Sequence, residues 1–578
     1  MNGLLLPAFC TLLATATQAG TLHVDASASG ARNGTSWSDA FVHLQDALAV
    51  ANAGDEVWIA DGTYRPDQGA GQSAGDRTAT FLLADGVRWY GGFAGHETTL
   101  EERAGLFGQT VLCGDLNADD ATGGKTDNSF QVVRVEVAGA TTTCDGFTIR
   151  GANGGEGGGM GLMYAHLLVR NCTFIDNAAE RGGAVSSRGG SSPRFVDCRF
   201  QDNTAGGHGG AVFMENLGSP EFVRCIFAGN TAALGGAVCL DGSASGSWLA
   251  AGCLFAGNRA TNSGGAITAF NSGLLELVGC TLTANEAANS GGAVHAVTVG
   301  ASLKGCIAWG NTAAGAPVEY SQLSLVPGFG AVTYSCVQFG TGSYGGVGNT
   351  ALDPAFADPL GPDGAAGTLD EDYSLTLGSP CIDAGDNAAL PADAHDLDGD
   401  GELAEPLPLD LAGGPRLVDD LATPDAGSGS APLVDMGAFE APSFTGLVGD
   451  RTWVSLSQGG TQKLAVYGGT TLADRTYVVL GSTLGTSPGL LLGPLVLPLN
   501  ADAYTVLGLV APNQPPLSGS LGSLDALGNA TAAFTLTPGS PPGLAGLTLN
   551  HAALVFDPLR FQQPFLLASN AVSLDLLP

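Results

Sequence analysis

Apolar residues recur along the middle of the chain with a beat that no helix or ordinary strand would produce. Six segments repeat a Cys-x-Phe-like pair and an Asn: Cys172–Asn177, Cys198–Asn203, Cys225–Asn230, Cys253–Asn258, Cys280–Asn285 and Cys306–Asn311. Their first residues are spaced 26, 27, 28, 27 and 26 apart. Between them runs a second series in phase: Gly182-Gly-Ala-Val185, Gly209-Gly-Ala-Val212, Gly235-Gly-Ala-Val238, Gly264-Gly-Ala-Ile267 and Gly291-Gly-Ala-Val294. Residues two apart share one face of a strand, so Cys and Phe point the same way. Asn tolerates left-handed backbone and is expected to turn a corner. Gly-Gly supplies a second corner with positive φ, and Ala-Val opens another inward-facing strand.

One such coil cannot bury its own apolar side, but stacked coils bury a continuous core. The pattern therefore predicts an all-β fold: a single-stranded parallel β-helix with Phe, Cys, Asn and Gly-Gly-Ala each stacked on their own kind. Upstream, Phe41, Leu44, Leu48 and Ala51 follow helical spacing after Trp37-Ser38-Asp39 and before Asn52-Ala53-Gly54, predicting a short helix that plugs the open end of the core. A strand Val57–Ala60 follows. From residue 446 the Cys repeats stop, and alternating runs such as Thr476–Leu480 and Ala532–Leu536 lie between Gly, Pro and Asn turns. That pattern predicts a separate β-sandwich of about seven strands.

At the N-terminus, residues 1–19 read as a signal peptide, with Leu4-Leu5-Leu6, Phe9 and Leu12-Leu13 before the small residues of Thr17-Gln18-Ala19. No later run is apolar for the ~18 residues of a membrane-spanning helix, and Leu490–Leu499 is broken by Gly493, Pro494 and Pro498. The expected organisation is a signal peptide (1–19), an N-terminal cap with the first coils (20–110), the parallel β-helix repeats (111–350), a flank (351–441) and the β-sandwich (446–578).

Composition sharpens this picture. Among 578 residues there are 89 Gly and only three Lys (Lys125, Lys304, Lys463), which fits many tight turns rather than helices. A net charge of −34 disfavours nucleic acid and anionic membrane surfaces as partners. It fits a secreted or outer-surface monomer that meets an extracellular glycan or protein. Seven of the twelve Cys fall at or near the ladder position, from Cys144 to Cys306. Their place beside Phe marks them as core residues rather than a disulfide framework, and no Cys-x-x-Cys or His cluster suggests zinc.

The alternation of Gly-Gly-Ala-Val/Ile with Phe-x-x-Asn over residues 144–311 resembles the repeat of the polymorphic outer-membrane protein family. That resemblance implies a right-handed parallel β-helix of the pectin-lyase-like type at a bacterial surface. Family members of the autotransporter type end in a membrane barrel, for which the region after 445 is too short, so export through its own barrel is not expected. Gly54–Tyr64 resembles the N-terminal part of bacterial right-handed β-helix proteins. The stretches Leu377–Asp386, Gly414-Pro-Arg416 and Val434–Glu440 resemble the choice-of-anchor Q region that follows such helices in secreted bacterial proteins.

Three places carry candidate chemistry. Gly207-His208-Gly209 is comparable with the Gly-His-Gly of pectin-degrading hydrolases, yet His208 merely precedes the Gly-Gly-Ala that every coil repeats. Asp176 and Asp202 occupy equivalent positions of adjacent coils, where stacking would pair them, but the next coils carry Gly229 and Gly257; solvated turns are the expected role. Asp396, Asp398 and Asp400, closed by Gly401, match the first half of a calcium loop. Its twelfth position is Leu407 instead of Glu, leaving Glu402 and Glu405 as further ligands. Calcium is the one cofactor suggested. Arg150, Arg170, Arg181, Arg188, Arg194 and Arg199 are not in phase through the stack. The expected function is therefore non-catalytic, structural, adhesive or partner-binding, with a polysaccharide lyase or hydrolase as the alternative.

Overall fold

The computed structural model describes residues 19–103, 109–122, 124–215, 218–242, 246–271, 273–314, 317–326, 330–376, 378–418, 420, 423–441, 446–449, 451–468, 472–493, 495–525, 528–558 and 564–578. The proposed signal segment lies almost wholly outside them. The chain divides into two compact units, one holding residues up to Val418 together with Asp425–Ala441, the other holding Asp419–Pro424 and Pro442–Pro578.

The first unit is a parallel β-helix. One coil shows the plan: Glu221–Val223 on a first sheet, Ile226–Ala228 on a second, Thr231–Leu234 on a third and Val238–Asp241 on a fourth. The sheets contain eleven, ten, five and nine strands respectively. Neighbouring coils pair in parallel with like on like, as in Phe174↔Phe200, Phe200↔Phe227 and Phe227↔Phe255. The rings of those pairs stack with centroids 5.0, 4.7 and 4.6 Å apart. A second column, Phe195 and Phe222, stacks at 4.9 Å and runs on to Trp248. The expected Phe ladder is thus a doubled one.

Corners fall where single residues take left-handed backbone. The first-to-second corner uses the residue just before each ladder Cys: Asn171, Asp197, Arg224, Gly252, Gly279 and Gly305 all have φ between 51° and 61°. The second-to-third corner uses Asp176, Asp202, Gly229, Gly257, Ala284 and Gly310, again with positive φ. This corrects the expectation for Asn, because the turning residue is the one before it. Asn177, Asn203, Asn230, Asn258 and Asn285 point inward and are at most 1% exposed. The two glycines of Gly-Gly also divide their duties. Gly209 has φ 64°, whereas a Cβ on Gly210 would lie 2.1 Å from the Gly236 carbonyl oxygen of the next coil.

All eleven cysteines among the described residues are buried and free. A ladder thiol such as that of Cys198 donates to the Val196 and Val169 carbonyls at 3.3 and 3.5 Å. Burial pushes the thiols of Cys225, Cys280 and Cys306 well above their ordinary range, so they stay protonated.

The N-terminal helix is shorter than its periodicity suggests: α1 is Leu44–Leu48, with His43 as an N-cap that makes no side-chain cap. Asp39, read as part of the cap, instead accepts from the Ala31 amide at 2.7 Å. The helix still buries Leu44 and Ala47 in the core beside Val24 and Phe81. A second short helix, α2 (Glu319–Gln322), lies between the coils of Val294–Val297 and Leu323–Ser324.

Among the described residues the flank adds no strand to the sheets of the β-helix. Its motif residues form a buried polar staple against the β-helix. Arg416, 1% exposed, donates to the Gly437 carbonyl at 2.6 Å and lies 3.4 Å from Glu440. Asp435 accepts from the Asp383 and Ala441 amides, and Asp410 accepts from Glu440. Gly437 and Ala438 in turn donate to Gly305 O and Thr281 Oγ1 on two neighbouring coils.

The second unit is antiparallel except where Trp453–Ser455 runs parallel to Val572–Leu577. One sheet orders Gly446–Gly449, Gly460–Tyr467, Asn529–Leu536 and Leu517–Ser518; the other contains Trp453–Ser455, Val572–Leu577, Thr548–Phe556, Thr476–Ser482 and Leu521–Ser523, with Phe565–Ala568 alongside. Leu464, Val466, Val479, Phe534, Val555 and Leu574 from both sheets share one core, as a small β-sandwich requires. The helix α3 (Ala503–Val510) and the hairpin Leu490–Leu492/Leu495–Leu497 are additions to the expected strands.

Candidate functional site

The outward face of the fourth sheet collects charge where strand alternation places it. Val133 and Val135 face the core, so Arg134 and Glu136 face out and pair with each other. Arg188, two coils further on, lies between Glu156 and Glu215, 3.0 Å from the latter. Gln131, Met163 and Ser186 complete a shallow recess around these ion pairs. The charges are therefore spent on one another.

His208 ends the strand Thr204–His208 and pairs with Arg181 below and Leu234 above. Its ring stacks on Phe213 at 5.7 Å and meets the edge of Phe270 at 6.1 Å. The Arg181 guanidinium lies 5.5 Å over the same Phe213 ring. Burial, and then Arg181, hold the imidazole below its ordinary pKa, so the neutral ring packs as an aromatic cover. Asp202 precedes the opposite end of that strand. It has φ 53° and accepts from Gln201 Nε2 at 3.1 Å. Asp176, with φ 57°, pairs with Lys125. Asp176 and Asp202 hold equivalent corners of adjacent coils, whereas His208 stands at the far end of its strand.

Around the expected calcium loop, Asp396, Asp398 and Asp400 each offer an oxygen within 4.8 Å of the others. Backbone amides order them: Gly401 donates to Asp396 at 2.9 Å and Glu402 to Asp400 at 2.7 Å. Glu402 itself stands outside this triad. Asp393 and Glu405 instead form a second group with Asp398. Asp393 is 1% exposed and was not read from the sequence, because it precedes the alternating run. Burial and the surrounding carboxylates raise the Glu405 pKa, which is the electrostatic signature of a crowded acidic site. His395 fastens the loop to the β-helix, its Nε2 lying 3.5 Å from Glu221.

Residues 134–250 match the family model described as the right handed beta helix region, and residues 252–269 match the Chlamydia polymorphic membrane protein repeat. Residues 134–250 therefore carry right-handed β-helix repeats. The second match spans Cys253 to Asn258 and Gly264 to Ile267, the two elements whose recurrence sets the coil. Among solved structures, the β-helix repeat protein is similar to one titled pectate lyase Pel9A, at 14% identity and TM-score 0.36, over 73% of this chain and 97% of that one. It is also similar to a mutant of the alginate lyase AlyGC, at 10% identity and TM-score 0.24, over 71% and 60%. No curated protein matches it. Among the described residues, no helix is long and apolar enough to cross a membrane.

Proposed function

We propose that this chain is a secreted, surface-associated β-helix protein that works without catalysis, presenting its coils to an extracellular glycan or protein as a monomer. The observation that carries the reading is the use made of the repeat's reactive side chains. His208 is packed on Phe213, Asp176 is paired with Lys125, and Asp202 holds a left-handed corner and accepts from Gln201. A β-helix lyase needs a base and charge-neutralising groups converging on one face. The repeat match to a membrane-protein family supports surface association, and the acidic triad at Asp396, Asp398 and Asp400 supports calcium as a structural ion there.

Two measurements test this reading. Intact producing cells treated with protease should release β-helix fragments; release only after lysis removes the surface assignment. The purified protein, with and without calcium, should leave pectate, alginate and polygalacturonate unchanged by ultraviolet absorbance and reducing-end assays. Turnover abolished by His208→Ala or Asp202→Ala would establish the lyase or hydrolase alternative.

A further inference from the structure

The connection from strand Thr110–Cys113 to strand Val133–Ala138 is long and acidic. It wraps around Asp115, which is 8% exposed and accepts from the Asp119 amide at 3.1 Å and the Asp120 amide at 3.4 Å. Asp115, Asp119 and Asp127 each offer an oxygen within 4.8 Å of the others. The nearby bases are committed elsewhere: Arg65 gives its Nε to the Asp115 carbonyl, and Lys125 gives its ammonium to Asp176.

A second observation is independent of the acidic cluster. Asn128 is fully buried. Its Nδ2 donates to the Gly151 carbonyl at 2.6 Å and touches Asp120 Oδ2 at 3.2 Å. The Gly151 acceptor fixes which end of the amide is nitrogen. Its Oδ1 is enclosed and receives no hydrogen bond, as is true of Asp119 Oδ1, Asp120 Oδ1 and Asp127 Oδ2. Four enclosed oxygens without a donor, in one short loop, would each carry a desolvation cost unless a cation meets them.

We propose that Asp115, Asp119, Asp120, Asp127 and Asn128 form a calcium site separate from the loop at residues 396–402. The donors are all hard oxygens, and four carboxylates with an amide oxygen suit the six to eight ligands that calcium takes in flexible geometry. The ion would pin the long connection to its coil, where Ser129 already donates to Gly114 O at 2.7 Å and Arg77 to Asn128 O at 2.6 Å. Its role is thus to set the N-terminal coils, whatever the coils later bind.

The test uses the full chain carrying Asp396→Asn and Asp398→Asn, so that the other acidic loop is disabled. Metal-free protein is titrated with calcium chloride by calorimetry while hydrogen exchange is followed by mass spectrometry. One equivalent should bind, and amides of residues 115–130 should exchange about tenfold more slowly. Adding Asp127→Asn, or Asp119→Asn where Asp127→Asn opens the buried thiols, should weaken binding at least about tenfold. No uptake at millimolar calcium, or uptake that leaves exchange across residues 115–130 unchanged, overturns the proposal. So does affinity that survives both substitutions.

Discussion

Each inward Asn serves as a side-chain rung. Asn230 donates through Nδ2 to the Phe200 carbonyl at 2.8 Å and to Asn258 Oδ1 at 2.9 Å. Its own Oδ1 accepts from the amide and the Nδ2 of Asn203, both at 3.0 Å. Replacing it by Ala leaves several buried groups without partners at about 1–3 kcal/mol each. Asn230→Ala should therefore lower the urea midpoint sharply, and Asn230→Asp, which cannot donate, should not rescue it. Asp202→Gly, by contrast, relieves a left-handed non-Gly residue and should leave the midpoint unchanged or slightly higher. The sequence showed that Asn recurs but not which way it points. The residue before it varies between Asp, Gly and Ala, and that mixture hides a shared left-handed backbone.

Among elements, the flank is held by its staple rather than by a strand. Arg416 supplies the cation of that staple, and Glu440, Asp435 and Asp410 surround it with acceptors. Burial outweighs the pull of Arg416 and raises the Glu440 carboxyl, so the pair has little surplus to lose. Arg416→Met should cost about 3–5 kcal/mol, because it strands buried acceptors. Cys381 shares a core with Cys336 and Met436, so faster thiol labelling at Cys381 is the readout. Labelling no faster than in the unaltered protein would show that the flank docks by apolar contact alone. These motif residues were legible as a resemblance, but their joint burial was not: Asp383 and Asp435 are 52 residues apart and meet only in space. The helix α1 was legible in kind and misjudged in length, since Phe41 and Ala51 pack on the core from outside the helical turn.

For the whole molecule, the repeats gave the solenoid directly because period and burial coincide, whereas the cluster around Asp115 stayed hidden in a loop without periodicity. Acid acts on the second unit through a buried group of its own. In the second, His551 is fully buried, its Nε2 lying 2.8 Å from the Tyr504 hydroxyl, and burial holds its pKa down at about 4. The unfolded ring takes its proton near the ordinary 6.5, so it binds protons that the folded ring refuses. Stability from this group is present above that pH and is lost as pH falls toward about 4, to a total of about 3 kcal/mol. Hydrogen exchange along Thr548–Phe556 should accelerate over that window, and His551→Gln should flatten the dependence.

The column of asparagines has a sense. In each contact between side-chain amides Nδ2 donates toward the C-terminal side: Asn177 to Asn203, and so on through Asn285 to Asn311, which ends on Gln322 Oε1 at 2.9 Å. Gln322 Nε2 donates back to the Asn311 carbonyl at 2.7 Å and onward to Gln338 Oε1, rather than to another Asn, at 3.2 Å. An interior coil can therefore be gained or lost whole, with each remaining Asn still facing an Asn, while the terminal Gln has no interior equivalent. The protein's length is thus a free quantity counted in coils, and the end is a fixed word that closes the count.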